Sequence, residues 1–184
     1  SLIQARAGIV LDWDGPVTEV AVESPACVLA EIRLNGKTAH STEPHQGVNA
    51  LQAACEALTH IPCGYIEEGI TWNVGIFQAG TARNSIPGNV FFTGELRGFN
   101  TDNVVKAAAR VEQVCHKISQ KYGALCEFKS ELKFRAHRLE RTDPLFKRLE
   151  KTYHSLGLKP HYVSSHGGSD AMVFNDKGIV SVPI

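Results

Sequence analysis

Six segments between residues 26 and 134 carry alternating periodicities in a fixed order, and that order constrains the fold more than any other feature of the chain. Val28, Ala30, Ile32 and Leu34 alternate with Glu31 and Arg33, a period-2 strand closed by Asn35-Gly36. Residues 47–60 place Val48, Leu51, Cys55 and Leu58 at the spacing of one helix face. Trp72, Val74 and Ile76 share one side of a second strand, and Val90, Phe92 and Leu96 one side of a third. Asn84-Ser85-Ile86-Pro87-Gly88 turns between these two. A long helix follows, capped by Thr101 or Asp102, striped by Val104, Ala108, Val111, Cys115 and Ile118, and stopped by Gly123. In the fourth strand Cys126, Phe128, Leu132 and Phe134 alternate with Glu127, Lys129, Glu131 and Lys133, so its charged face meets solvent. The order β-α-β-β-α-β predicts an α+β, ferredoxin-like domain over residues 26–134, with four antiparallel strands and two helices on one face.

The flanks have a different style. Residues 7–11 are short and apolar and run into the acidic turn Asp12-Trp13-Asp14-Gly15-Pro16, with a further strand over 17–22. After Arg135, Thr142-Asp143-Pro144 opens a helix carrying Leu145, Leu149, Tyr153 and Leu156. Tyr162-Val163-Ser164 reads as a strand, His166-Gly167-Gly168-Ser169-Asp170 opens another helix that ends near Gly178, and residues 179–184 form a strand. This alternation suggests pieces of an α/β domain at 1–25 and 135–184.

Lys plus Arg and Asp plus Glu both number 19, which argues against a general attraction to nucleic acid or anionic membrane. Five cysteines at 27, 55, 63, 115 and 126 form no CxxC pair, which fits a reduced, cytoplasmic protein better than a disulfide scaffold. No apolar run reaches the ~18 residues of a membrane-spanning helix. The sequence opens without Met and ends inside an expected strand, so both ends read as cuts through a longer protein.

Three stretches resemble the M20 metallopeptidase family, and the resemblance covers essentially the whole chain. Asn35-Gly36-Lys37-Thr38-Ala39-His40-Ser41 with Gly47-Val48-Asn49-Ala50 is similar to the G-x-x-A-H-S…G-x-N-A signature of the family's lid, or dimerisation, domain. Gly80-Thr81-Ala82-Arg83-Asn84-Ser85-Ile86-Pro87, followed by Glu95-Leu96-Arg97, resembles its G-x-x-x-N-x-I-P motif and acid-x-Arg strand. Gly167-Gly168-Ser169-Asp170 is similar to the Gly-Gly-Ser/Thr-Asp turn of the returning catalytic domain, and the Leu11-Asp12-x-Asp14-Gly15-Pro16 opening points to the peptidase T-like branch.

The resemblance implies a dimeric aminopeptidase or tripeptidase that hydrolyses small peptides or related amides at two divalent metal ions, zinc by family habit, ~3.5–4 Å apart. By motif position His40 is the imidazole lent across the homodimer to polarise the scissile carbonyl; its bland reading is a surface residue closing a strand. Asn84 and, more weakly, Arg83 are expected to meet substrate, against an ordinary turn Asn and a surface charge. Arg97 is expected to be structural. Gly167 and Gly168 offer backbone N–H groups to a substrate carboxylate, unless Ser169 or Asp170 merely caps the helix. Asp12 fits the family's terminal carboxylate ligand to metal, with Asp14 its rival.

The departures limit what this chain does alone. The family's His-x-Asp strand, bridging Asp and Glu-Glu pair are expected upstream, and its last His ligand downstream. His45, His60, His116, His137, His154 and His161 have no family motif around them and no HxH or HxxxH spacing. The chain alone is therefore expected to bind zinc weakly or not at all and to be inactive. A stand-alone association module is the second reading. An RNA recognition motif shares the element order, but Arg97-Gly98-Phe99 runs into Asn100-Thr101-Asp102 instead of the aromatic continuation, so no nucleic-acid partner is expected.

Overall fold

A computed structural model describes residues 4–184; the first three residues of the expected N-terminal flank lie outside the described residues. The elements in chain order begin with β1 (Ala7–Val10), β2 (Glu19–Ser24), β3 (Ala26–Asn35), α1 (Ala50–His60), β4 (Gly64–Glu67), β5 (Ile70–Ala79) and β6 (Asn89–Gly98). They continue with α2 (Thr101–Tyr122), β7 (Leu125–Phe134), β8 (His137–Arg138), α3 (Pro144–Ser155), β9 (His161–Ser164), α4 (Asp170–Asp176) and β10 (Val180–Pro183). They fall into two compact units, one of Val28–Gly98 and Asp102–Lys133, the other of the residues up to Cys27 with Phe99–Thr101 and Phe134–Ile184.

The first unit holds a five-stranded sheet in the order β4-β5-β6-β3-β7. β5 follows α1 in sequence yet lies two places from β3, with β6 between them, which is the split βαβ arrangement of the ferredoxin-like fold. Alternation decides which face is buried. Val28, Ala30, Ile32, Leu34, Trp72, Val90, Phe92 and Leu96 are buried, whereas Glu31, Arg33, Glu127, Lys129 and Lys133 are exposed. Only one face is dry, so both helices cover that face. Trp72, Phe92 and Leu96 are fully excluded from solvent, and burial of each such side chain contributes about 2–3 kcal/mol before entropy is counted. At Gly123, φ is +73°, the left-handed conformation that ends α2.

Several details differ from the sequence reading. β4 is a fifth strand, a short antiparallel partner of β5 whose Tyr65 is exposed, so it lacks the buried alternation that reveals a strand. In α1 the buried face is Ala50, Ala53, Ala54 and Ala57, while Cys55 is exposed and Val48 precedes the helix. Small side chains let the helix sit close to the sheet, and the larger apolar residues flank that contact. β5 carries a bulge between Val74 and Ile76. The extra residue shifts the alternation by one, so Phe77 rather than Ile76 pairs with buried Phe92, their rings stacked at 5.6 Å. Neither Thr101 nor Asp102 stands outside α2 as its cap. Both lie within the helix, and the Thr101 hydroxyl accepts from the Ala136 amide at 2.9 Å.

The second unit is built on parallel pairing. β1 runs parallel to β10 from Ala7↔Val180 to Val10↔Pro183, and β2 lies between antiparallel β8 and parallel β9. Its core joins Val20, Leu145, Phe146, Leu149, Tyr153 and Val182. The Asp143 side chain accepts from the Leu145 amide at 2.8 Å, starting α3 where the Asp-Pro pair predicts it. Leu156, expected on the buried stripe of α3, is 67% exposed because the helix has ended at Ser155.

Candidate functional site

The motif segments of the sheet unit are laced together by backbone hydrogen bonds. The Ile86 amide donates to the Ala39 carbonyl at 2.8 Å and the Ser41 amide to the Asn84 carbonyl at 3.0 Å, with His40 and Ser85 forming an antiparallel bridge between them. Lys37 and Val48 exchange bonds of 3.0 and 2.8 Å, and the Ala50 amide reaches the Pro87 carbonyl at 2.8 Å. A Cβ on Gly36 would lie 2.3 Å from the Val48 carbonyl oxygen, so the crossing needs a glycine there. The Asn49 side chain accepts from the Gln52 amide at 3.1 Å, which makes it the N-cap of α1. The two sequence motifs are thus one structural feature, a pair of apposed loops.

His40 is exposed on this feature. Its Nδ1 lies 2.8 Å from Thr42 Oγ1 and 3.3 Å from the Thr42 amide nitrogen. A backbone N–H only donates, so Nδ1 is an acceptor. In the neutral ring the proton then sits on Nε2, which leaves an N–H donor at the outer edge of the imidazole. Asn84 and Arg83 are also exposed, and neither side chain makes a hydrogen bond or ion pair to another described residue. Arg83 lines a shallow hollow with Gly80, Thr81 and Ser85. Arg97 clasps Glu95 on its own strand through bonds of 2.8 and 3.1 Å, a positioning contact on the sheet face.

The second unit gathers the remaining candidates. Ser169 Oγ donates to Asp12 Oδ1 at 3.0 Å and accepts from the Ala171 amide at 3.1 Å, so the Asp12 carboxylate is moored to the residue that caps α4. The Gly167 amide is already engaged by Ser165 Oγ at 3.1 Å, and Gly168 keeps the free N–H among the described residues. A Cβ on Gly168 would lie 2.9 Å from the Phe134 ring, a packing reason for glycine there. His166 is exposed and meets the Phe99 ring edge-on at 5.3 Å. Asp14, the rival to Asp12, is exposed. Among the described residues no group of three or more His, Cys, Asp or Glu side chains is placed to hold a metal ion. Asp12 alone does not fit a two-metal centre.

Thr42, Ser165 and Ser169 are the supporting residues whose bonds the motifs did not expose. Thr42 and Ser165 lie two residues from the groups they hold, whereas Ser169, a motif residue that the sequence offers as a helix cap, reaches Asp12 157 positions away, a bond that only the fold reveals.

A family model described as "Peptidase dimerisation domain" matches residues 27–123. The chain belongs to the M20 peptidase family. Among curated proteins it is 28% identical over 183 residues to the uncharacterised protein YqjE of Bacillus subtilis, covering 99% of this chain and 49% of that one. It is 31% identical over 109 residues to an N-acyl-L-amino acid amidohydrolase of Geobacillus stearothermophilus, covering 56% of this chain and 30% of the relative. Among solved structures, a tripeptidase from Staphylococcus aureus superposes with a TM-score of 0.91 at 27% identity, over 100% of this chain and 49% of that one. The aminopeptidase PepT of Bacillus cereus follows at 0.88 and 27%, with the same coverages. The M20 chain described here thus spans about half the length of the relatives that it matches throughout.

Proposed function

We propose that this chain is the dimerisation domain, residues 26–134, with two flanking segments of the catalytic domain, 1–25 and 135–184, of a peptidase T-like M20 hydrolase. The complete enzyme cleaves small peptides as an aminopeptidase or tripeptidase, or related amides of small amino acids. The exposed His40 ring carries this reading, because Thr42 holds it through Nδ1 and its Nε2–H is free to donate. In a homodimer formed through residues 26–134, His40 enters the partner's cleft and donates to the oxyanion that develops on the scissile carbonyl. One such donor is worth about 3 kcal/mol of transition-state stabilisation. Asn84 and Arg83, on the loop apposed to His40, contact the substrate in the same cleft. Asp12 is a carboxylate ligand to one of two divalent metal ions, zinc, and Gly167 and Gly168 face the substrate. Of these two glycines, Gly168 has the free N–H for a substrate carboxylate.

The rest of the metal centre comes from segments that this chain does not contain, so the 184-residue chain alone is inactive and holds zinc weakly if at all. A cytoplasmic location goes with this reading, and no helix among the described residues is long and apolar enough to cross a membrane. The test is hydrolysis of tripeptides and N-acyl amino acids by the zinc-loaded full-length protein. No turnover of any of them would reject the hydrolase. The second reading, an association module without activity of its own, is favoured by one observation: the sheet domain forms a compact unit of its own. A dimeric full-length protein without turnover would select it.

A further inference from the structure

A groove of about 350 Å³ lies on the polar face of the five-stranded sheet, between the ends of β3 and β5 and the loop before β6. Phe91 lines it, and the Arg33 guanidinium lies over that ring, 4.5 Å from its centroid. Ile86 and Pro87 form an apolar wall, while Thr38 and Gln78 add polar side chains. Arg33 is the one charged residue of the lining, which includes no Asp or Glu. The side chains of Arg33, Thr38 and Gln78 make no hydrogen bond or ion pair to another described residue, whereas Asn35 is engaged by Glu127 at 3.0 Å.

A guanidinium stacked on an aromatic ring is oriented in advance, weakly hydrated, and presents a planar fork of N–H donors. Such a fork matches a carboxylate with two parallel charge-assisted hydrogen bonds. A single formal positive charge suits a monoanion, and the groove is within the size range of small-molecule sites. We infer that this groove binds a small ligand bearing a carboxylate beside an apolar group, the carboxylate on Arg33 and the apolar part against Ile86 and Pro87. The inference needs none of the residues assigned to peptide hydrolysis. Arg83 opens on a neighbouring hollow that shares Gly80, Thr81 and Ser85 with this groove, so it serves as the control.

The test is a titration of the isotope-labelled 184-residue chain with hippurate, and with its neutral amide hippuramide, followed by NMR. The expected result is saturable shifts at Arg33 Nε, the Gln78 carboxamide and the Gly80 and Gly88 amides. Hippuramide binds at least about 10-fold more weakly, because the charge-assisted pair is lost. Arg33→Gln weakens hippurate by the same factor, Arg33→Lys by less, and Arg83→Gln by under about 2-fold. Equal shifts from hippuramide, a well-folded Arg33→Gln chain that still binds, dependence on Arg83 instead, or no saturation up to about 50 mM would each overturn the inference.

Discussion

Thr42 holds the His40 ring through Nδ1 alone, with its hydroxyl at 2.8 Å and its amide nitrogen at 3.3 Å from that atom. This relationship fixes the tautomer of a side chain that would otherwise be free to rotate in solvent. Neutral His40 is expected to carry its proton on Nε2, read from ring nitrogen shifts in a long-range proton–nitrogen spectrum at pH 8. Thr42→Ala removes the hydroxyl and keeps the amide, so the preference is expected to weaken without reversing. A dominant Nδ1–H form in the unmodified chain would contradict the geometry.

If His40 acts in the partner's cleft, activity can be rebuilt from two dead enzymes. In the full-length protein, His40→Ala is expected to lower kcat by about 10²–10³-fold, the range for losing one oxyanion donor, and Asp12→Asn by at least about 10–100-fold, the range for damage to the groups around a metal. Mixed subunits form heterodimers in which one cleft has an intact Asp12 and receives His40 from its neighbour. After re-association, an equal mixture is expected to recover about a quarter of the wild-type rate, since half the dimers are mixed and each has one working cleft. A mixture no more active than either parent would place His40 in its own subunit's cleft or outside catalysis.

The alternating strands were legible because one sheet face is dry and the other wet, as β3 and β7 show. The βαββαβ order was equally plain. Local irregularity was not. The Gly75 bulge moves Phe77 into register with Phe92; a glycine inside a strand pattern hints at a bulge, but the alternation of Trp72, Val74 and Ile76 reads as unbroken without the partner strand. β4 gains its strand character from pairing with β5 rather than from its own pattern. At the candidate site, the motifs pointed to His40, Asn84 and Asp12. The bonds that hold them, Ser41 to Asn84 and Ser169 to Asp12, join residues 43 and 157 positions apart and depend on the finished fold.

The alanine face of α1 makes a stability prediction that reverses the sequence reading. Ala54 is fully buried and Cys55 is exposed. Ala54→Leu forces extra volume into a close helix–sheet contact and is expected to cost about 1–3 kcal/mol. Cys55→Ser is expected to lie within about 0.5 kcal/mol of the parent chain. Urea unfolding followed by circular dichroism separates the two. A costly Cys55→Ser would restore the helix face read from spacing.

Glu56 joins α1 to α2 and is expected to make the stability of the sheet unit depend on pH. It accepts from Lys121 Nζ at 2.6 and 2.8 Å and from Tyr122 Oη at 2.6 Å. The Lys121 bond, then the Tyr122 bond, holds the Glu56 carboxyl below its ordinary range, and Glu56 in turn raises both Lys121 and Tyr122. The folded carboxyl binds its proton less readily than the unfolded one. Its contribution is therefore complete above the unfolded value, about pH 4.3, and is lost as pH falls through the lower folded value. At the alkaline end the signs reverse: the raised lysine and tyrosine contribute fully below about pH 10 and lose that contribution as pH climbs through their folded values. The stability difference between the parent chain and Glu56→Gln is thus expected to be flat from about pH 5.5 to 9.5 and to shrink on both sides. Lys121 is exposed and Glu56 and Tyr122 are half-buried, so salt near 1 M is expected to reduce the plateau as well. A difference that stays constant down to about pH 3 would mean that the three side chains do not hold one another in solution.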